Sequence, residues 1–106
     1  MKKLLESDIQ LAICDYLSVR KHFFWRSNTT PIFDSKRGTF RRMPKYAISG
    51  VPDVILVKDG TFIGLEVKRP TGQISASQAL FKERLERSGG RYHIVTSIDD
   101  VQKLGL

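Results

Sequence analysis

Three charged side chains, Asp53, Glu66 and Lys68, have types and spacing that suit chemistry on a phosphate. They flank a stretch that predicts a β-hairpin, because residues 54–57 are apolar and mostly β-branched and Asp59-Gly60 suits a two-residue type I′ turn. With that turn, Asp53 stands opposite Glu66 on the neighbouring strand. Side chains alternate along a strand, so Lys68 lies beside Glu66 on the face that carries both carboxylates.

Two opposed carboxylates repel each other, and a cation between them removes that cost. Hard cations such as Mg²⁺ take oxygen ligands from one or two carboxylates and keep positions for water and phosphate. A lysine adds a positive charge that could orient or help deprotonate a water or stabilise a pentavalent phosphate, while the metal acts as a Lewis acid. The alternative is a plain hairpin with three solvated charges. Other turn lengths would shift the register, so spacing alone leaves both interpretations open.

The sequence around these residues resembles a known nuclease superfamily. Pro52-Asp53 followed by Glu66-Val67-Lys68 is similar to the PD-(D/E)XK signature. Residues 49–53 (SGVPD) with residues 64–68 (GLEVK) resemble its VRR-NUC branch, in the stand-alone form found in phages. The resemblance implies an α/β fold with a restriction-endonuclease-like core, in which a small mixed β-sheet is flanked by helices in the order αβββαβ.

The resemblance also implies roles for individual residues. Asp53 and Glu66 would be metal ligands, Val67 would contribute its backbone carbonyl, and Lys68 would be the catalytic lysine. The implied cofactor is Mg²⁺ or Mn²⁺.

The similarity extends to a helix that begins near Glu6 and to Ser75-x-x-Gln78 after the hairpin, so it covers most of the chain. It implies Glu6 as a supporting metal ligand and Gln78 as a supporting site residue. Judged from the residues alone, Glu6 is a favourable acid at the positive end of a helix dipole. Gln78 is, on the same grounds, a helix cap on a face that also carries Phe81 and Leu85.

The positive charge of the chain is concentrated in one segment. The net charge is +7, and residues 20–45 contain eight basic side chains and one acidic side chain. A localised basic segment predicts a polyanionic partner, here DNA, whereas the alternative is a solvated flexible loop. The candidate nucleic-acid-binding residues are Arg26, Lys36, Arg37, Arg41, Arg42 and Lys45.

The composition predicts one domain, residues 1–106, with 41% hydrophobic and 27% charged residues. The sequence shows neither a membrane-length apolar run nor a secretory signal, so we expect a cytoplasmic protein; the phage-type resemblance implies action in a host cytoplasm. Cys14, the one cysteine, excludes an internal disulfide and has the apolar neighbours of a core thiol. His22 and His93 are too few and too dispersed for a zinc site.

Periodicity predicts the first half of the fold. A helix is expected over residues 1–20, either with Ser7-x-x-Gln10 as a capping box or with a start nearer Leu4. Residues 22–26 predict a strand beside the hairpin. Their Phe23-Phe24-Trp25 cluster suits core or dimer surface, with a base-stacking platform as the alternative. Residues 28–39 are expected to form a loop.

Three elements are expected after the hairpin. Ser75-x-x-Gln78 opens a second helix, which ends at residues 88–90 (SGG). Residues 92–95 predict a strand, and Ser97 starts a short final helix.

These features favour a metal-dependent endodeoxyribonuclease that hydrolyses phosphodiester bonds. The resemblance implies a preference for branched DNA, as in a Holliday-junction resolvase, and a homodimer would present two sites to two strands. Two alternatives stay open: a non-catalytic nucleic-acid-binding module, and a nuclease that acts on RNA or on free DNA ends.

Overall fold

The computed structural model describes residues 5–27, 33–36, 38–40 and 44–106. In chain order, its elements are α1 (Glu6–Val19), β1 (Phe23–Arg26), β2 (Phe33–Asp34), β3 (Thr39–Phe40), β4 (Val54–Lys58), β5 (Thr61–Val67), α2 (Ala76–Arg87), β6 (Arg91–Val95) and α3 (Ile98–Lys103). The predicted order of the larger elements is confirmed. The segment expected to be a loop instead contributes β2 and β3, a short antiparallel pair whose turn includes Gly38 with φ of 66°.

The central hairpin has the predicted turn and register. Asp59 and Gly60 have φ values of 52° and 76°, the pair of positive values that a type I′ turn needs. Ile55 pairs with Gly64 as expected. β1 is antiparallel to β4 and β6 is parallel to β5, which gives a mixed sheet in the order β1-β4-β5-β6.

The two faces of this sheet are covered by different helices. On one face, alternate residues of β4 and β5 form the core together with residues of α1 and α3. Cys14 lies in this core as predicted, and burial raises the pKa of its thiol. On the other face, α2 packs against β6, where the Phe81 and Tyr92 rings lie 6.4 Å apart. Glu66 belongs to this second face because Leu65 and Val67 point into the core.

The predicted Ser7-x-x-Gln10 capping box of α1 is wrong, whereas the helix start near Glu6 is confirmed. Leu5 is the N-cap and makes no side-chain capping bond, and Ser7 lies inside the first turn. Glu6 and Asp8 occupy that turn, where acidic side chains stabilise the positive end of the helix dipole. Gln10 instead accepts a hydrogen bond from Arg26 Nε at 2.7 Å.

The predicted ends of α2 and α3 are confirmed. Ser75 and Gln78 form a reciprocal capping box, and Gly89, with φ of 91°, follows the C-cap Ser88. Ser97 caps α3 by accepting from the Asp100 amide. Within the described ranges, no helix has the length and apolar content needed to cross a membrane.

Candidate active site

The end of the hairpin opposite its turn brings the two predicted carboxylates together. Asp53 immediately precedes β4, and its Oδ2 accepts a hydrogen bond from the Val67 amide at 2.9 Å. Glu66, the residue before Val67, is 2% exposed. The amide and carbonyl of one strand residue point toward the same neighbouring strand. The Val67 carbonyl therefore faces the side on which Asp53 lies.

Glu66 is surrounded by groups that compensate its charge only in part. Its Oε1 accepts a hydrogen bond from Gln78 Nε2 at 2.6 Å and lies 3.7 Å from Lys68 Nζ. Its Oε2 is buried and has no hydrogen-bond partner among the residues that the structure describes. Burial, followed by the negative charge of Asp53, raises the pKa of Glu66 to about 8, although Lys68 acts in the opposite direction. The half-buried Asp53 and the buried Glu66 therefore place two carboxyl groups against one nearby ammonium group, that of Lys68.

The loop that carries Asp53 is held by two close contacts. The Pro52 ring lies directly on Gly64, so that a methyl group at position 64 would overlap it. Gly50, with φ of 81°, passes so near the Ser77 backbone that a side chain at position 50 would collide with it. Both glycines permit a close backbone approach. They fix Asp53 between β5 and the N-terminus of α2.

Gly64→Ala should displace Pro52 and, with it, Asp53. We expect the free energy of unfolding to fall by about 1–3 kcal/mol, as for other overpacked sites, and the activity of the site to fall as well. Urea denaturation measures the loss. The double variant Pro52→Ala/Gly64→Ala removes the clash, so it should be destabilised by less than the sum of the two single changes. Additive losses would show that this contact does not position Asp53.

Gln78 links the second helix to the carboxylates. Its Oε1 accepts from the Ser75 amide at 2.8 Å, so the side chain that closes the capping box also donates to Glu66. One side chain therefore both completes the helix cap and contacts Glu66.

Tyr92 is a site neighbour that sequence reasoning missed. It is 2% exposed, stands opposite Gly64 in the parallel pair, and thus shares the face of Glu66. Its hydroxyl is buried without a hydrogen-bond partner in the described part of the chain. Burial and the charges of Glu66 and Asp53 raise the pKa of Tyr92, so the hydroxyl stays protonated and able to donate. The pairing of β6 that places Tyr92 here leaves no signal in the local sequence.

Glu6 is not brought to this pair. It begins α1 and is exposed. In residues 5–27, 33–36, 38–40 and 44–106, no three His, Cys, Asp or Glu side chains cluster as a metal site. Further oxygen ligands for a cation at Asp53 and Glu66 would come from the Val67 carbonyl, water or a substrate phosphate.

The predicted nucleic-acid-binding residues are described only in part. Arg26 is exposed at the end of β1, and the next residue, Ser27, donates its amide to the Asp53 carbonyl at 2.8 Å. Arg26 itself pairs with Val54 on the face that α1 covers, and its Nε donates to Gln10 of α1, so its side chain points away from Asp53 and Glu66. Lys36 and Lys45 are exposed, and Lys45 Nζ lies 5.1 Å from the centroid of the Tyr46 ring. The three remaining candidates, Arg37, Arg41 and Arg42, fall outside the described residues.

The raised pKa of Glu66 has a measurable consequence for the metal-free protein. The pKa of an exposed glutamate is about 4.3, so between that pH and about 8 the folded chain holds a proton that the unfolded chain releases. The favourable contribution of Glu66 to the free energy of unfolding is therefore lost as pH rises through that window. With chelator present, Glu66→Gln should raise the free energy of unfolding by about 1–3 kcal/mol near pH 9, with the difference vanishing below about pH 4.

Urea denaturation across this pH range measures the effect, and Glu83→Gln on the exposed side of α2 is the matched control. Parallel stability profiles for wild type and Glu66→Gln would contradict the proposed proton uptake at Glu66.

The fold can be compared with solved structures. A structure titled "VRR_NUC domain protein" superposes with a TM-score of 0.69 at 20% sequence identity, and the match covers 98% of this chain and 87% of the other. No family model and no curated protein matches the sequence. The likeness extends over almost the whole of both chains and includes the hairpin that carries Asp53 and Glu66. The chain therefore has the α/β fold of a VRR_NUC domain protein, a small mixed sheet flanked by helices.

Proposed function

We propose that this protein is a nuclease that hydrolyses phosphodiester bonds in DNA with Mg²⁺ or Mn²⁺ as cofactor. The observation that carries the proposal is the buried Glu66 Oε2, which lacks a hydrogen-bond partner among the described residues and lies beside a second carboxylate, Asp53. A protein that only bound DNA would gain nothing from a buried acid beside a second, half-buried one next to a polyanion. The VRR-NUC fold supports the same chemistry by analogy.

The donor set fits a hard divalent cation. Asp53, Glu66 and the Val67 carbonyl offer oxygen atoms only, at the end of the hairpin. A cation bound there would supply Lewis-acid polarisation of the phosphate and a bound water with a lowered pKa. It would also supply the positive charge that the carboxylate pair lacks.

The side chains of this site have separable roles in the proposed reaction. Lys68, 15% exposed and 3.7 Å from Glu66, presents an ammonium group to an incoming phosphate, where it stabilises negative charge that develops during attack. Gln78 holds Glu66 Oε1, which leaves Oε2 for the cation. Asp53 holds the Val67 amide and orients that peptide. The hydroxyl of Tyr92 can donate to a water or an oxygen near Glu66.

Branched DNA is the substrate class that we favour. A basic segment, residues 20–45, with a net charge of +7 binds phosphates regardless of base sequence. Selection by the shape of the DNA is then the remaining source of discrimination. A second copy in a homodimer would supply a site for the second strand of a junction.

The test is cleavage of end-labelled four-way junction, flap, single-stranded and duplex DNA of matched sequence, with Mg²⁺, Mn²⁺ or chelator. Matched RNA strands and DNAs with blocked ends are included. We expect metal-dependent internal cuts, most rapid on branched DNA. Binding of these DNAs without cleavage under either metal would contradict the proposal and favour a non-catalytic binding module. Loss of cleavage when the ends are blocked would indicate an exonuclease.

A further inference from the structure

β1 presents an aromatic surface that the core does not use. Phe24 packs against the core, so Phe23 and Trp25 point to the opposite face of the sheet. Phe23 is 70% exposed and Trp25 is 42% exposed. Their ring centroids lie 5.6 Å apart with the planes tilted by 51°. We call these two rings the aromatic platform.

The aromatic platform lies on the same face as the candidate active site and next to it. Trp25 pairs with Ile55, and Ile55 pairs with Gly64, so these three form one row across the sheet. Asp53 and Glu66 lie in the next row on this face, two residues further along from Ile55 and Gly64. A diagonal neighbour in such a ladder has its Cβ about 7–8 Å away, which is the spacing expected between Trp25 and Asp53. The Ser27 amide, bonded to the Asp53 carbonyl, ties this end of β1 to the site.

The charges around the platform suit a nucleic-acid strand better than a second copy of the chain. Arg20 and Lys21 precede β1, and residues 16–33 contain no acidic side chain, although Arg26 points to the opposite face, where it donates to Gln10. Exposed aromatic rings flanked by cations are how proteins bind single-stranded nucleic acid, with bases stacked on the rings and phosphates on the charges. Two copies that met through β1 would bring these cations together, which costs free energy in a chain of net charge +7.

We propose that Phe23 and Trp25 stack an unpaired DNA base next to the phosphate that occupies the Asp53–Glu66 pair. The inference rests on the proposed function in that it takes this pair as the place of the reacting phosphate. The aromatic platform then selects substrates that have an unstacked base beside the cleaved bond, such as flaps, branch points and single strands. A continuous duplex keeps its bases stacked and cannot use the platform.

Trp25 is the only tryptophan, so its fluorescence reports on the platform directly. The protein is titrated in chelator, which prevents cleavage, with a short oligothymidylate and with an abasic oligonucleotide of the same length and charge. We expect the oligothymidylate to quench Trp25 and the abasic strand to leave its emission unchanged. Equal quenching by the two strands would overturn the proposal, because the contact would then be electrostatic.

Variants test the same claim through affinity. Phe23→Ala and Trp25→Ala should each weaken oligothymidylate binding by at least about fivefold in fluorescence anisotropy, because stacking on one ring is worth about 1–3 kcal/mol. Trp25→Phe should keep most of the affinity. The control is Leu11→Ala on α1, which covers the other face of the sheet and where Leu11 is 54% exposed. Wild-type affinity in both alanine variants would overturn the proposal.

Three further outcomes bear on this inference, and the last two separate it from the proposed function. A dimer in sedimentation whose formation shields Trp25 from acrylamide would make the platform a protein interface and overturn the inference. Base-dependent quenching by a protein that cuts no DNA with Mg²⁺ or Mn²⁺ would support the platform and refute the hydrolysis. If the wild type cleaves DNA and both alanine variants bind and cut like the wild type, the hydrolysis is supported and the platform is refuted.

Discussion

Lys68→Ala should reduce DNA cleavage by about 10²- to 10³-fold, the usual effect of removing one group that stabilises charge in a transition state. The Lys68 side chain is 15% exposed, and its one ion pair within the described residues is the 3.7 Å contact with Glu66, so its removal should leave the fold intact. Binding of uncleaved DNA should change little. Single-turnover cleavage and anisotropy with chelator measure the two quantities separately. Lys82→Ala, a change in an exposed lysine paired with Glu86 on α2, is the matched control.

An indirect effect of Lys68→Ala, through the pKa of Glu66, can be recognised by the pH dependence of cleavage. Lys68 lowers the pKa of Glu66, so its loss favours the protonated carboxyl, which binds cations poorly. If that were the whole effect, cleavage by Lys68→Ala would recover toward the wild-type rate as the pH rises above about 9. We expect the defect to persist there. Wild-type cleavage at neutral pH would exclude a catalytic role for Lys68, and loss of folding would make the residue structural.

Asp53→Asn should abolish most of the divalent-cation affinity while keeping the fold. The amide oxygen of asparagine can still accept the Val67 hydrogen bond, so the loop should keep its position. Removal of a residue that hydrogen-bonds a metal ligand lowers metal affinity by about 10- to 100-fold, and removal of the ligand itself should lower it at least as much. The control is Asp59→Asn, a change in an exposed turn residue with φ of 52°, where asparagine is well tolerated. Calorimetric titration with Mn²⁺ in the absence of DNA measures the difference.

The same substitution changes the metal-free protein in a predictable direction. The charge of Asp53 raises the pKa of Glu66, so its removal should lower that pKa and leave the stability equal or higher near pH 8. Unchanged Mn²⁺ affinity in Asp53→Asn would contradict the assignment of Asp53 as a ligand. A large fall in stability would show that the carboxylate is mainly a structural cap for the Val67 amide.

The hairpin could be predicted from the sequence because its determinants are local. A type I′ turn at Asp59-Gly60 fixes the pairing of Ile55 with Gly64, and alternation then determines which side chains share a face. Ser75 and Gln78 predicted the start of α2 for the same reason. The hydrogen bond from Gln78 to Glu66 follows from the way α2 packs on the sheet.

Other features depend on contacts between distant segments, and local patterns do not determine them. Tyr92 reaches the site because β6 pairs parallel to β5 in one particular register. The exposure of Phe23 and Trp25 follows from the limited coverage by α2, which packs against β6 at the far edge from β1. Three consecutive aromatic residues show that a strand is apolar on both faces, but they do not show which face stays open to solvent. Glu6, a prediction that came from resemblance, lies apart from the carboxylates.

We propose that the Asp53–Glu66 pair holds the cation that enables phosphodiester hydrolysis. The most direct measurement is cleavage of a labelled branched DNA by wild type, Asp53→Asn and Asp59→Asn, in Mg²⁺, in Mn²⁺ and in chelator. We expect wild type and Asp59→Asn to cut only with a divalent cation, and Asp53→Asn to cut under none of these conditions although it binds the DNA. Cleavage that persists in chelator, or that Asp53→Asn retains, would contradict it.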